Sequence, residues 1–400
     1  MKAKRVAVAD LRVGMYVTEL DRPWIGTPFA FQGFAITSPE QLQQLRGCCK
    51  WVMVDEEGAP AASAPGKDTT GPLILRGTTH YKAPSAPVEV EVPRAKTVYA
   101  ACEAVVNDMT SRLRFDGVVD ARHLKSSVNE ITESVVRNPD AMMLLAKMRK
   151  KGQYEFDRAV STSVLMIAFG RFLQLTREQL DILGMAGILL DVGKTRIPDA
   201  VLYKKQVLTP QEYDEAKNHV KHSAELISES SDFFRQVREV VLQHHERQDG
   251  SGYPRGLRGA EISIYGAIAG IVDSYSAMIS ARPYAEQLSP SNALGELHRL
   301  RGKLFHEALV EQFIQCIGIY PVGSIVELNT GEIGIVIAQN LVRRLQPRVM
   351  VVLDAERRPL RPQKVLDLLK EPKASAGEPY RIRRTMRADA LPMDPAEYFL

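Results

Sequence analysis

Apolar positions recur at helical spacing through the middle of the chain and at alternate positions beyond it, and this change of period divides the sequence. Val98, Cys102, Val105 and Met109 form one stripe, Phe156, Val160, Val164 and Ile167 a second, and Phe233, Val237, Val240 and Val241 a third. Thr176-Arg177-Glu178-Gln179 and Thr209-Pro210-Gln211-Glu212 have the capping-box form, and Ser289-Pro290 opens a further helix. Residues 94–318 are therefore expected to form a helical bundle, and the fold class is mainly α. Past Ile319 the period becomes two. Ser324 to Leu328 and Ile333 to Ile337 flank the turn-forming Asn329-Thr330-Gly331 and predict a hairpin, with Arg348 to Leu353 as a third strand. This gives a small C-terminal β element over 319–370, followed by a linker-like tail over 371–400.

Upstream of the bundle, Arg5-Val6-Ala7-Val8 and Trp51-Val52-Met53-Val54-Asp55 read as strands, and Ser38-Pro39-Glu40-Gln41 marks a short helix start between them. Residues 1–55 are thus a small N-terminal α/β or β module. From Glu56 to Pro93 the composition shifts to Ala, Pro, Gly, Ser and Thr, which buries too little apolar surface to offset ordering entropy. That stretch predicts a flexible linker.

Composition adds boundaries rather than detail. The 400 residues are 45% hydrophobic and 25% charged, as in ordinary globular chains. No segment approaches the roughly 20 apolar residues of a membrane helix, and Met1-Lys2-Ala3-Lys4-Arg5 lacks a signal-peptide core, so a cytoplasmic location without a membrane span is expected. Cys48, Cys49, Cys102 and Cys316 form neither a CxxC pair nor a disulfide framework and are expected to be free thiols. A net charge of +4 gives no electrostatic case for nucleic acid. The one local excess, Arg381, Arg383, Arg384 and Arg387, is expected to contact its own protein.

The candidate chemistry lies in polar residues placed where the helical pattern calls for apolar ones. Ile188-Leu189-Leu190 runs into Asp191, and Lys194 falls on the same face. His219, with His222 one turn on, opens a later helix. His244 and His245 stand at the end of the next, before Arg247-Gln248-Asp249-Gly250-Ser251-Gly252-Tyr253-Pro254, and Asp273 lies in the apolar run that follows. Adjacent helical residues point about 100° apart, so the His doublet serves one centre only if that centre lies between them. Imidazoles and carboxylates on successive helices make a ligand set for a first-row metal such as iron, manganese or zinc.

Residues 153–315 resemble the HD-GYP family, bacterial helical metallo-phosphodiesterases that hydrolyse cyclic di-GMP. The resemblance is carried by Leu189-Leu190-Asp191-Val192-Gly193-Lys194 with Ile197-Pro198-Asp199, by His219-Val220, by His244 to Gly259 with Gly252-Tyr253-Pro254, and by Ile271-Val272-Asp273-Ser274-Tyr275 ahead of Arg282-Pro283-Tyr284. The N-terminal module also looks like a domain of unknown function that commonly precedes HD-GYP domains. The resemblance implies an HD-type bundle in which two or three metals activate water for attack on phosphorus. By position, Asp191 is implied to bridge the metals, His219, His244 and His245 to complete one site, Asp273 to belong to the other, and Lys194 to face the phosphate. Gly252, Tyr253 and Pro254 are implied to shape the loop beside the substrate.

The departures fall on one metal. The His expected before Asp191 is Leu190, the His expected early in the first bundle helix is Arg158, and Tyr154 stands where some members place a Glu. Arg158 cannot be neutralised and so cannot ligate a cation, but its charge can stand in for one by pairing with Asp273, Asp191 or both, beside the substrate phosphate. Ser276, where many relatives have Asp, is expected to be a small change on the helix surface. These features predict one divalent metal rather than two, with weak or absent hydrolysis and a role in binding cyclic di-GMP, a related cyclic dinucleotide or a signalling protein through the GYP loop or N-terminal module. The alternatives are an active phosphodiesterase using the surviving site and a protein-interaction scaffold that binds no nucleotide.

Overall fold

The computed structural model describes residues 3–13, 15–21, 34–36, 39–55, 77, 79–81, 84–113, 121–148, 157–204, 206–280, 287–340, 343–374 and 377–386. The chain divides into two compact units, residues 1–73 with 340–346, and residues 74–339 with 347–400. Among the described residues no helix is long and apolar enough to cross a membrane.

The first unit carries a four-stranded antiparallel sheet. Ala3–Ala7 pairs with Trp51–Asp55, which pairs on its other edge with Tyr16–Leu20, and Phe34–Ala35 closes the row. Helix Pro39–Cys48 contributes Leu45 to a small core with Val17, Ile36 and Val52. The cap residue Ser38 lies outside the described residues.

The second unit is the helical bundle. Its helices are Val88–Leu113, Ala121–Arg137, Pro139–Lys147, Asp157–Phe172, Arg177–Leu189, Asp199–Leu202, Pro210–Lys217, His219–Leu226, Asp232–Gln243, Ile264–Met278, Pro290–Leu300 and Glu307–Ile317. Thr176 and Thr209 each form a full capping box, and Ser289 accepts from the Asn292 backbone N–H, so the start signals in the sequence act as read. Val160, Val164 and Ile167 are buried together with Leu183, Ile188 and Leu189.

Two boundaries differ from expectation. The segment expected to be linker up to Pro93 is helical from Val88, because Val88 is buried and the Glu91 carboxylate accepts from Ser134 Oγ at 2.7 Å and pairs with Arg137 at 2.8 Å. Pro93 is carried inside that helix, where composition alone suggested a break. The tail expected from Glu371 contains strand Ile382–Met386, which pairs with Ile325–Leu328 and places Arg384 opposite Glu327. Arg383 and Arg384 hold the Glu327 carboxylate at 3.1 and 2.7 Å, so these arginines do contact their own protein. Arg387 lies outside the described residues. The five-stranded sheet has Pro359–Asp367 at one edge, then Arg348–Leu353, Ile333–Ala338 and Ile325–Leu328, with the arginine-bearing strand at the other edge. None of the four cysteines is in a disulfide.

Candidate metal centre

Asp191 follows Leu190, the C-cap of helix Arg177–Leu189, where the chain turns into a short 3-10 segment, Val192–Arg196. That turn is locked to the helix carrying His219. Gly193 donates its N–H to Ser223 Oγ at 2.8 Å, and the same hydroxyl donates to the Leu190 carbonyl at 2.9 Å. A Cβ at Gly193 would sit 2.2 Å from the His219 carbonyl oxygen, so only glycine permits this approach.

His219, His244 and His245 bring their ligand nitrogens within 4.8 Å of one another. His219 directs Nδ1 to the Ala216 carbonyl at 2.7 Å, and His244 directs Nδ1 to the Val241 carbonyl at 2.6 Å. A carbonyl only accepts, so each Nδ1 carries the proton and each Nε2 is left as a lone pair. Both Nε2 atoms are buried without a hydrogen-bond partner. His219 Nε2 faces an oxygen of Asp191 at 3.5 Å, which sets two acceptors against each other. Such a pair is costly to bury unless a cation joins it, and orphaned imidazole nitrogens beside a carboxylate are the donor set of a divalent metal.

The electrostatics agree. Burial lowers the His219 pKa to about 4, and burial likewise moves His244 and His245 downward, His245 well below the usual imidazole value. All three are therefore neutral at physiological pH, the form that ligates. Burial pushes the Asp191 carboxyl up, but Lys194 and Arg158 outweigh it and hold it well below the usual carboxylate range. Lys194 Nζ lies 2.9 Å from Asp191.

Arg158 occupies the other half of the cleft. Its guanidinium hydrogen-bonds Asp273 and lies 3.6 Å from Asp191, with all three side chains mostly buried. The space beside them, lined by Arg158, Thr162, Gly187, Leu190, Asp191 and Asp273, is about 10 Å³. That is room for about one water. Leu190 is buried in the main core and offers no donor.

The GYP loop packs directly on the histidines. Tyr253 stacks on His245 with ring centres 4.7 Å apart, and the Tyr253-Pro254 peptide bond is cis. A Cβ at Gly252 would fall 2.4 Å from the Arg247 backbone nitrogen. Glu246, buried directly after the doublet, accepts from the backbone N–H groups of Arg255 at 2.7 Å and Leu257 at 2.9 Å and so pins the loop. Sequence reasoning passed over both Glu246 and Ser223. Glu246 could have been flagged as a charged residue on the same helix end as the doublet, whereas Ser223 had no distinguishing signal.

The structure therefore gathers Arg158, Asp191, Lys194, His219, His244, His245, Asp273 and Tyr253 into one cleft. His222 stays outside, against Glu225 at 3.5 Å. Ser276 is a correction: expected on the helix surface, it is buried at 4% exposure, and its hydroxyl has no partner among the described residues. The helix Ile264–Met278 is apolar nearly all round, so position 276 faces protein rather than solvent. Tyr154 and Arg282-Pro283-Tyr284 lie outside the described residues.

The HD domain family matches residues 140–309. A cyclic di-GMP phosphodiesterase of Pseudomonas aeruginosa is 33% identical over 377 residues, spanning 91% of this chain and 89% of that protein. The chain belongs to the HD-GYP family. In this HD-GYP chain a domain of unknown function matches residues 3–124, a range that takes in the first bundle helix, Val88–Leu113, and a KOW domain associated with HD domains matches residues 325–375. A cyclic di-GMP phosphodiesterase of Thermotoga maritima is 43% identical over 131 residues, 32% of this chain and 36% of that protein. Among solved structures, an HD-GYP protein of Bdellovibrio bacteriovorus aligns with a TM-score of 0.45 and 14% identity, covering 78% of this chain and 98% of that chain.

Proposed function

We propose that this HD-GYP protein binds cyclic di-GMP, or a related cyclic dinucleotide, at a centre holding one divalent metal, and that it hydrolyses the nucleotide slowly or not at all. The observation that carries this reading is the position of Arg158, bonded to Asp273 and 3.6 Å from Asp191, in the half of the cleft where the family's second metal is implied.

His219, His244, His245 and Asp191 would hold the ion, since the three imidazoles converge, two of their nitrogens are orphaned, and Asp191 lies 3.5 Å from one of those. Iron, manganese and zinc all suit this mixed imidazole and carboxylate set. Bound there, such an ion would supply Lewis-acid charge to a phosphodiester oxygen. The remaining work falls to the chain. Lys194 adds a second positive charge beside Asp191, Tyr253 stacks on His245, and Arg158 pairs with the Asp273 carboxylate. What is lost is the symmetric clamp on attacking and leaving oxygens. An immobile guanidinium cannot activate water, and electrostatic stabilisation of that kind is worth several kcal/mol.

The test is to load the purified full chain with manganese or iron and incubate it with cyclic di-GMP, following binding by calorimetry and the linear dinucleotide by chromatography. Binding without product on the scale of hours is expected. Turnover comparable to that of an HD-GYP enzyme with intact ligands would establish the active reading. Absence of both binding and metal would leave the interaction scaffold.

A further inference from the structure

The helix Pro210–Lys217 leads directly into His219, and its Ala216 carbonyl orients that imidazole. Two other side chains of the same helix, Tyr213 and Lys217, have no part in orienting it. Tyr213 is 52% exposed. The Lys217 ammonium lies 4.9 Å from the centre of the Tyr213 ring and 5.8 Å from that of Tyr253. Tyr253 in turn stacks on His245. Moving outward from the imidazoles, the order is His245, Tyr253, Lys217, Tyr213.

An ammonium held near two ring faces is explained by cation–π attraction. That attraction does not explain an aromatic ring left half open to water at the outer end of the row. A cyclic dinucleotide offers two complements to this arrangement, a flat purine and an anionic phosphodiester next to it. Purines stack on open tyrosine rings whatever their edge chemistry, and an ammonium reaches phosphate as a point charge. Lys217 also pairs with Asp214 at 2.5 Å, an ion pair whose carboxylate is 71% exposed. Such exposed pairs contribute little, so phosphate can replace that carboxylate at small cost.

We infer that Tyr213 and Lys217 form an outer nucleotide subsite: one purine stacks on the open face of Tyr213, and Lys217 pairs with the adjoining phosphodiester. This rests on the reading of the histidine cleft as a cyclic dinucleotide site. It makes the helix before His219 the element that selects a nucleotide over a bare phosphate.

The test is calorimetric titration of the metal-loaded full chain with cyclic di-GMP, using wild type, Tyr213→Leu, Tyr213→Phe and Lys217→Ala. Tyr213→Leu is expected to weaken binding about ten-fold or more, Tyr213→Phe to stay within about two-fold of wild type, and Lys217→Ala to weaken it about ten-fold. All variants should keep wild-type metal content and melting temperature, because neither side chain lies in the core. If wild type binds and Tyr213→Leu and Lys217→Ala bind as tightly, the subsite is wrong while the proposed function stands. If wild type itself does not bind, the proposed function fails and the subsite with it.

Discussion

Replacing Arg158 by Met keeps most of the stem packing and removes the charge, which isolates what the guanidinium contributes. Its partners are 9% and 18% exposed at Asp273 and Asp191, and Arg158 itself is 22% exposed. At an effective dielectric near 20, a charge pair about 4 Å apart interacts by about 4 kcal/mol, and removing one partner of a buried pair costs about 3–5 kcal/mol. Two features reduce this. Asp191 keeps Lys194 at 2.9 Å, so the loss falls chiefly on Asp273, and the partial exposure of Arg158 admits screening water. Arg158→Met is therefore expected to destabilise the metal-free chain by about 2–3 kcal/mol. Urea unfolding in EDTA measures this directly. Asp273→Asn in the same background should recover part of the loss, because it removes the stranded charge. A single variant within about 0.5 kcal/mol of wild type, or strictly additive double-variant energies, would mean that Arg158 does not compensate the carboxylates.

Two further outcomes follow from the same geometry. The His219 pKa falls from 6.5 to about 4 on folding, so the unfolded chain takes up protons first as the pH drops. The stability associated with that histidine is complete above about pH 6.5 and lost between there and about pH 4, on the order of 3 kcal/mol. Thermal unfolding of metal-free protein at pH 7.5, 6 and 5 should show the decline, and a flat profile over that range would contradict the burial of neutral imidazoles. Gly252→Ala places a Cβ 2.5 Å from Glu246 Cα and from the His245 carbonyl oxygen, so the GYP loop must shift. We expect about 1–3 kcal/mol of destabilisation and weaker metal binding, read by unfolding and by metal titration, where an unchanged affinity would show that the loop does not brace His245.

Much of this architecture was written in local signals. The helical stripes, the capping boxes at Thr176 and Thr209 and the hairpin around Asn329 each depend on residues close in sequence, and the structure uses them as read. The convergence of His219 with the His244-His245 doublet was legible for a different reason: polar residues at core positions need partners, and few partners were available. Other features needed tertiary information. Helix Val88–Leu113 starts within a Pro-rich stretch because Glu91 finds Arg137 some 46 positions away. Strand Ile382–Met386 has no apolar alternation and is held by a ladder and by Glu327. The burial of Ser276 was missed since a serine on a helix gives no sign of which way it faces.

The metal count separates the account from its rivals most sharply. The full chain, loaded with excess manganese or zinc and freed of unbound ion, should carry about one metal, and the variant combining Arg158→His with Leu190→His should carry about two and gain hydrolysis of cyclic di-GMP. Two metals in the wild-type chain, or a double variant that still holds one, would contradict the assignment of Arg158 as the resident cation of the second position.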